Sequence, residues 1–206
     1  MDKKALYNLS YGVFILTTKL EDKVNGCIIN TCMQVANDPV RIAISVLNQN
    51  YTCELLKQSD VFALSLLDQN CSFETIQHFG FQSGRNVNKF ENLMTPTDCN
   101  GVPYINWHSC SVLSGKVVEQ HDLGTHTLFI AELVDAKLLN DNLPLTYADY
   151  QNHVKPKPEK KQEDRKIVGW RCKICNYIYE GSDLPAEFTC PLCGHGADDF
   201  EPIYES

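Results

Sequence analysis

Four cysteines near the carboxyl end stand in two C-x-x-C pairs, Cys172 with Cys175 and Cys190 with Cys193, with 14 residues between the pairs. A C-x-x-C pair folds into a tight knuckle whose backbone N–H groups can point at the sulfurs. Two knuckles facing one another give a tetrahedral site of four thiolates, which suits zinc or a single iron. Spacing alone does not decide whether the metal props up a fold or moves electrons. The neighbours bear on it: Trp170, Tyr177, Tyr179 and Phe200 supply more aromatic surface than a structural zinc ribbon needs. They read as a small packed core beside the metal.

The rest of the chain must give that centre a task. It has 206 residues, a net charge of -8 and a pI of about 5.2. Such acidity argues against nucleic-acid binding, which requires basic patches to neutralise phosphate. It argues equally against an anionic membrane surface. No apolar run approaches the ~20 residues of a transmembrane helix. The opening MDKKALYNLSYGVFILTT loosely imitates a signal peptide, but Asn8, Ser10 and Gly12 interrupt it and no small-x-small cleavage site follows. The six remaining cysteines (27, 32, 53, 71, 99 and 110) are scattered among apolar segments and read as reduced thiols. The expected compartment is a reducing cytoplasm.

Charge divides the chain into three. Residues 1–150 carry -6, residues 151–166 carry +3 and residues 167–206 carry -5. The middle piece, QNHVKPKPEKKQEDRK, holds two Lys-Pro pairs and almost nothing apolar. It predicts a solvated tether between two domains.

The first domain reads as mainly β. VRIAISVL (40–47), DVFALSLL (60–67), SVLSGKVVEQ (111–120) and THTLFIAELVDAKLL (125–139) are apolar or alternating runs rich in β-branched residues. TCELLKQS (52–59), with Thr52 as its cap, and CSFETIQHFGF (71–81), opened by Ser72, predict helices. KKALYNLSY has helical spacing too. Strands without βαβ alternation suggest a barrel. With no G-x-G-x-x-G opening a helix and no P-loop, a nucleotide would have to be held by loops and strand ends.

The tail pattern W-x-C-x-x-C-x-Y-x-Y-E-G…C-P-x-C-G…F resembles a rubredoxin, with the short inter-pair gap of rubrerythrin-type proteins. Asn176 stands where that family commonly has Gly; Asn tolerates the left-handed backbone a knuckle exit needs. The stretches NGCIINTCMQVANDP (25–39), ISVLNQNYTCELL (44–56), FGFQSGRNVNKF (79–90) and GTHTLFIAELVDA (124–136) together resemble the flavin-reductase-like FMN-binding split-barrel family. The whole chain is similar to the flavin-reductase–rubredoxin fusions of anaerobic bacteria. The resemblance implies a split β-barrel with a few helices over 1–150, a linker over 151–166 and a rubredoxin-like metal-knuckle domain over 167–206. It implies FMN, one iron on the four cysteines, and NAD(P)H as electron donor. It also implies a flavodiiron protein as acceptor, reducing nitric oxide or oxygen, and a homodimer formed through the flavin domain.

Residue by residue, the resemblance places Asn30, Thr31 and Cys32 and the strand end Ser45, Val46 and Leu47 along the flavin. Asn48, Asn50 and Thr52 lie where a helix N-terminus can take phosphate. Ser83, Arg85 and Lys89 approach the phosphate or its neighbourhood, and His126 lies near the flavin and the incoming nicotinamide. Asn86, Asn88, Leu47 and Ala131 depart from the family pattern. His78 and His108 receive no role. Two other readings are carried: a flavin or ferric reductase that releases reduced flavin, and a zinc-ribbon binding module.

Overall fold

The structure is a computed structural model and describes residues 1–156 and 166–205. It divides into two compact units, Met1–Pro156 and Lys157–Ser206, each with its own hydrophobic core.

In the first unit, seven antiparallel strands form one sheet. They are β1 (Phe14–Leu20), β2 (Lys23–Ile29), β3 (Cys32–Asn37), β4 (Val40–Leu47), β5 (Val61–Leu67), β6 (Ser109–Asp122) and β7 (His126–Leu138). Their spatial order is β2-β1-β5-β6-β7-β4-β3. Strands β2 and β3 are thus the two edges, yet only Asn30 and Thr31 join them. Three Cα steps span at most about 11 Å, whereas a flat sheet of seven strands would hold its edges roughly 29 Å apart. The sheet must therefore roll until its edges nearly meet. Its interior holds Leu16, Cys27, Ile44, Val46, Phe62, Leu64 and Phe129, all at most 1 % exposed.

Helix α1 (Tyr51–Ser59) lies against β1 and β2 and sends Cys53 and Leu56 into that core. Helix α2 (Phe73–Gly80) closes a second cluster, in which Ile76 and Phe79 meet Val13, Ile15, Leu67 and Leu145. Ser72 caps α2 as its type predicts, accepting from the Thr75 N–H. The cap of α1 is Asn50 rather than Thr52: its side chain accepts from the Thr52 N–H at 3.0 Å. Thr52 is the second residue of the helix and is fully buried, so its hydroxyl serves another purpose.

Strand β4 begins and ends where its apolar run does. Strand β5 starts one residue later than expected, because Asp60 takes a left-handed conformation (φ 57) and donates its N–H to Leu56 O as the cap of α1. The amino-terminal helical spacing becomes a 3-10 turn, Lys3–Asn8. The linker expected over 151–166 is shortened at its start. Residues 151–154 lie in a π-helical segment, Tyr150–Val154, that packs Tyr150 and Val154 against the second cluster. Residues 157–165 of that linker lie outside the described residues.

The second unit is a three-stranded sheet of order β10-β8-β9, formed by β8 (Ile167–Cys172), β9 (Ile178–Glu180) and β10 (Phe200–Tyr204). Its core is aromatic, and Phe188 is the hub. The Phe188 ring lies edge-on to Tyr179 and Phe200, with centroids 4.7 and 5.4 Å away, and is stacked with Tyr177 at 6.5 Å. The Trp170 indole N–H donates to Ser182 O.

Candidate metal centre and flavin site

Two chain reversals of the same design build the metal centre. The Asn176 N–H donates to Cys172 O and the Gly194 N–H to Cys190 O, both at 2.9 Å. Both exits are left-handed, with φ 62 at Asn176 and φ 74 at Gly194. Asn is the non-glycine residue that best tolerates this conformation, which is why C-K-I-C-N closes as well as C-P-L-C-G. The first cysteine of each pair is buried and the second half-buried.

The four sulfurs lie within 4.8 Å of one another, with Cys172 to Cys193 at 3.6 Å and Cys175 to Cys190 at 3.4 Å. A tetrahedron with metal–sulfur bonds of about 2.3 Å has edges of roughly 3.8 Å. The cluster therefore fits one four-coordinate metal ion. Its electrostatics differ from one cysteine to the next. Burial opposes the charge on Cys190, yet the N–H groups of Cys193 and Leu192 aimed at its sulfur bring it down to about 7. Burial pushes Cys175 and Cys193 up, against the N–H groups of Tyr177 and His195. A bound cation would hold all four deprotonated.

The residues expected along a flavin gather at one end of β4. Asn30 and Thr31, the link between the sheet edges, lie beside it: Thr31 O accepts from the Ser45 N–H at 3.3 Å. Leu47 pairs with His126 across the β4–β7 ladder. The side chains of Val46 and Cys32 turn into the core, and burial pushes the Cys32 thiol up to about 12. These two can offer a ligand only backbone groups.

A second group surrounds the start of α1. Thr52 Oγ1 accepts from Asn25 Nδ2 at 2.9 Å, and Asn25 is itself buried in β2. Gly84 lies so close to Asn25 that a Cβ there would strike the Asn25 amide. This approach lays the loop 83–85 over the first turn of α1. Ser83 Oγ accepts from the Arg85 N–H at 3.2 Å. The Arg85 guanidinium sits 4.9 Å from the Tyr51 ring centroid and 2.7 Å from a Glu54 carboxylate oxygen. A guanidinium beside a helix N-terminus is a fitting cradle for phosphate.

Lys89 is placed differently from the expectation. It is 2 % exposed, and its ammonium donates to Gly26 O at 2.9 Å and to Phe79 O at 2.7 Å. Phe79 O belongs to the last turn of α2, where a cation is favoured. Burial lowers the Lys89 pKa and the nearby Cys27 opposes the shift. Its charge is thus spent on two interior carbonyls rather than presented at the surface. Cys27 beneath the site is raised to about 11, chiefly by burial, with the Thr52 hydroxyl and Lys89 tempering the rise.

Asn48 also has an internal task. Its amide donates to Gly124 O at 2.8 Å and to Asp122 Oδ1 at 3.1 Å, and its Oδ1 accepts from Thr127 Oγ1 at 2.6 Å. The turn it grips carries His126, whose Nδ1 lies 2.9 Å from the Thr125 hydroxyl. Sequence reading passed over Asn25, Asp122 and Thr127. Asn25 is masked by Gly26, since an Asn-Gly pair reads as a turn. Asp122 signals a turn before Gly124, but nothing local points it or Thr127 to Asn48, which lies more than seventy positions away.

Residues 6–155 match the family described as flavin reductase like domain. Residues 170–201 match the one described as rubrerythrin, rubredoxin-like domain. The chain belongs to the flavin reductase-like family and carries a rubredoxin-like domain behind that part. It is 35% identical over 230 residues to high molecular weight rubredoxin of Moorella thermoacetica, covering 98% of this chain and 100% of that protein. It is 40% identical over 150 residues to ferric-chelate reductase (NAD(P)H) of Archaeoglobus fulgidus, covering 73% of this chain and 89% of that one. The solved NADH:FAD oxidoreductase SgcE6 of Streptomyces globisporus C-1027 shares the fold, with a TM-score of 0.64 at 19% identity over 70% of this chain and 85% of that chain. The protein is an oxidoreductase of the flavin reductase type, with a flavin-binding barrel and a rubredoxin-like four-cysteine iron site.

Proposed function

We propose that this chain takes electrons from NAD(P)H at an FMN held by the barrel, moves them to the four-cysteine iron, and delivers them to a flavodiiron-type reductase of nitric oxide or oxygen. The observation that carries this reading is the fusion itself: a flavin reductase-like barrel and a well-formed S4 cluster in one chain, similar from end to end to a high molecular weight rubredoxin. Bound flavin supplies the change from two-electron to one-electron transfer, and iron carries one electron at a time.

The chain's own residues do the holding. Arg85 and the start of α1 take the phosphate, with Thr52 and Asn25 shaping the floor beneath it. Asn30, Thr31 and the backbone of 45–47 line the ring system. His126 stands beside the incoming nicotinamide. At the metal, the half-buried Cys175 and Cys193 are the ligands through which an electron leaves. The exposed Met33 and Val35 of edge strand β3 support a homodimer, since a lone copy would leave that apolar edge in water. The six cysteines outside the metal cluster, scattered and unpaired with one another, support a reducing cytoplasm.

The likeness to ferric-chelate reductase favours a second reading, in which the barrel reduces ferric complexes or releases reduced flavin. Gel filtration separates the two, because a relay keeps its FMN and a flavin-releasing reductase sheds it. The relay itself is tested by anaerobic stopped-flow mixing with NADH and with NADPH. Flavin absorbance should bleach first and the ferric rubredoxin band second, and flavodiiron protein added together with nitric oxide should restore both once the NADH is spent. Flavin bleaching without loss of the ferric band would overturn the relay.

A further inference from the structure

We infer that Asn48 is a positioning residue: it fixes the turn that carries His126 and is not a ligand of the flavin. The inference rests on the reading that His126 stands beside the nicotinamide.

Hydrogen-bond accounting carries it. An asparagine amide has two N–H donors and one carbonyl oxygen. Both donors of Asn48 are in use, on Asp122 Oδ1 and on Gly124 O. Its oxygen accepts a 2.6 Å bond from Thr127 Oγ1, with Lys57 Nζ at 3.4 Å and Cys53 Sγ at 3.9 Å. Its backbone N–H donates to Thr125 O at 2.9 Å. One residue therefore holds positions 122, 124, 125 and 127. The last two flank His126 on either side. Gly124, at φ 87, also donates to Asp122 Oδ1 and completes the turn. A flavin could bond the Asn48 amide only by breaking one of these contacts.

The grip spans three elements. Asn48 follows β4, Lys57 belongs to α1, and the turn joins β6 to β7. The ladders already pair Leu47 with His126 and Asp122 with Thr127, and the Leu123 N–H donates to His126 O at 2.8 Å. What they leave open is the tip at Gly124 and Thr125, and Asn48 holds both through Gly124 O and Thr125 O. A displacement of about 1 Å at a reacting group can cost up to a hundredfold in rate.

The test uses Asn48→Ala, Thr127→Val and Thr127→Ser in the full chain. Valine matches threonine in shape and lacks the donor; serine keeps it. FMN titration should give dissociation constants within about twofold of the parent for all three, because the holding contacts are elsewhere. Flavin reduction by NADH should show the half-saturating concentration raised and the limiting rate lowered by about tenfold in Asn48→Ala and Thr127→Val. Thr127→Ser should restore both. Amide exchange at Leu123 and Gly124, read by NMR without any nucleotide, should quicken in the two impaired variants alone. Loss of FMN affinity in Asn48→Ala by tenfold or more would make it a flavin ligand and overturn the inference. So would parental kinetics and exchange in Thr127→Val. If the parent protein's flavin is not reduced by NADH or NADPH, the functional reading fails, and the exchange measurement still decides whether Asn48 fixes the turn.

Discussion

Arg85 and Lys89 stand four residues apart and do different work. The Arg85 guanidinium lies half-exposed at the start of α1, while the Lys89 ammonium is shut inside on two carbonyls. Arg85→Ala should weaken FMN roughly tenfold, one charge-assisted contact, and leave riboflavin binding unchanged. Titrating both flavins checks this, and equal weakening would assign Arg85 to the fold. Lys89→Met should instead cost about 2–4 kcal/mol of stability, since two buried acceptors lose their donor. Thermal unfolding measures it; an unchanged Tm with lost FMN-over-riboflavin preference would return Lys89 to the phosphate. Asp122 allows a pH prediction. The Gly124 N–H, and after it the Asn48 amide, hold its carboxyl below the ordinary 3.8. A folded value below the unfolded one contributes stability above pH 3.8 that is lost as pH falls through the folded value. Carbon NMR titration of the Asp122 carboxyl should show that depressed midpoint, and Asn48→Ala should raise it.

At the scale of elements, strands with clear periodicity were legible and those without it were not. β4 could be bounded from VRIAISVL alone because turn residues flank it. β1 escaped notice because residues 14–18 are all buried, so the strand shows no alternation and reads as a plain apolar run. β2 was hidden by Asn25 and Gly26, which look like a turn and in fact lie inside a strand. The metal ligands were legible from spacing, since each knuckle is local. The surroundings of the proposed flavin site were not, because Lys89 and Asn48 find their partners across the fold, and only resemblance brought those segments together. The two knuckles make a matched comparison. Gly194→Ala forces a side chain into left-handed backbone with open space around it, so it should cost about 1–2 kcal/mol. Asn176→Gly relieves a milder form of the same strain and should be neutral or slightly stabilising. Denaturation of the iron-loaded second unit, followed by its visible band, ranks the two. A Gly194→Ala variant as stable as the parent would show that the knuckle relaxes around the new methyl group.

For the whole molecule, two compact units with separate cores predict separable failures. Cys172→Ser should abolish the iron spectrum while FMN stays bound and NADH still bleaches it. Loss of flavin in that variant would show that the units depend on one another. Cutting the chain within 157–165 should turn iron reduction from a concentration-independent process into a slower bimolecular one, as a tether holds its ends at an effective millimolar concentration. Stopped-flow at several protein concentrations distinguishes the cases, and equal rates for cut and uncut protein would remove any role for the connection. The two-residue link between β2 and β3 carries a further consequence, in time rather than in space. Neighbours in sequence, these strands are the far edges of the sheet, so the hairpins β1–β2 and β3–β4 can form early and locally. The pairings of β1 with β5 and of β4 with β7 close long loops and come late, as non-local contacts generally do. The β3–β4 hairpin already sets Thr31 beside Ser45, and only the later pairing of β4 with β7 brings His126 alongside Leu47. With these residues lining the flavin as proposed, capture of the cofactor should fall in the slowest phase of refolding, and a newly made chain should gain its colour last.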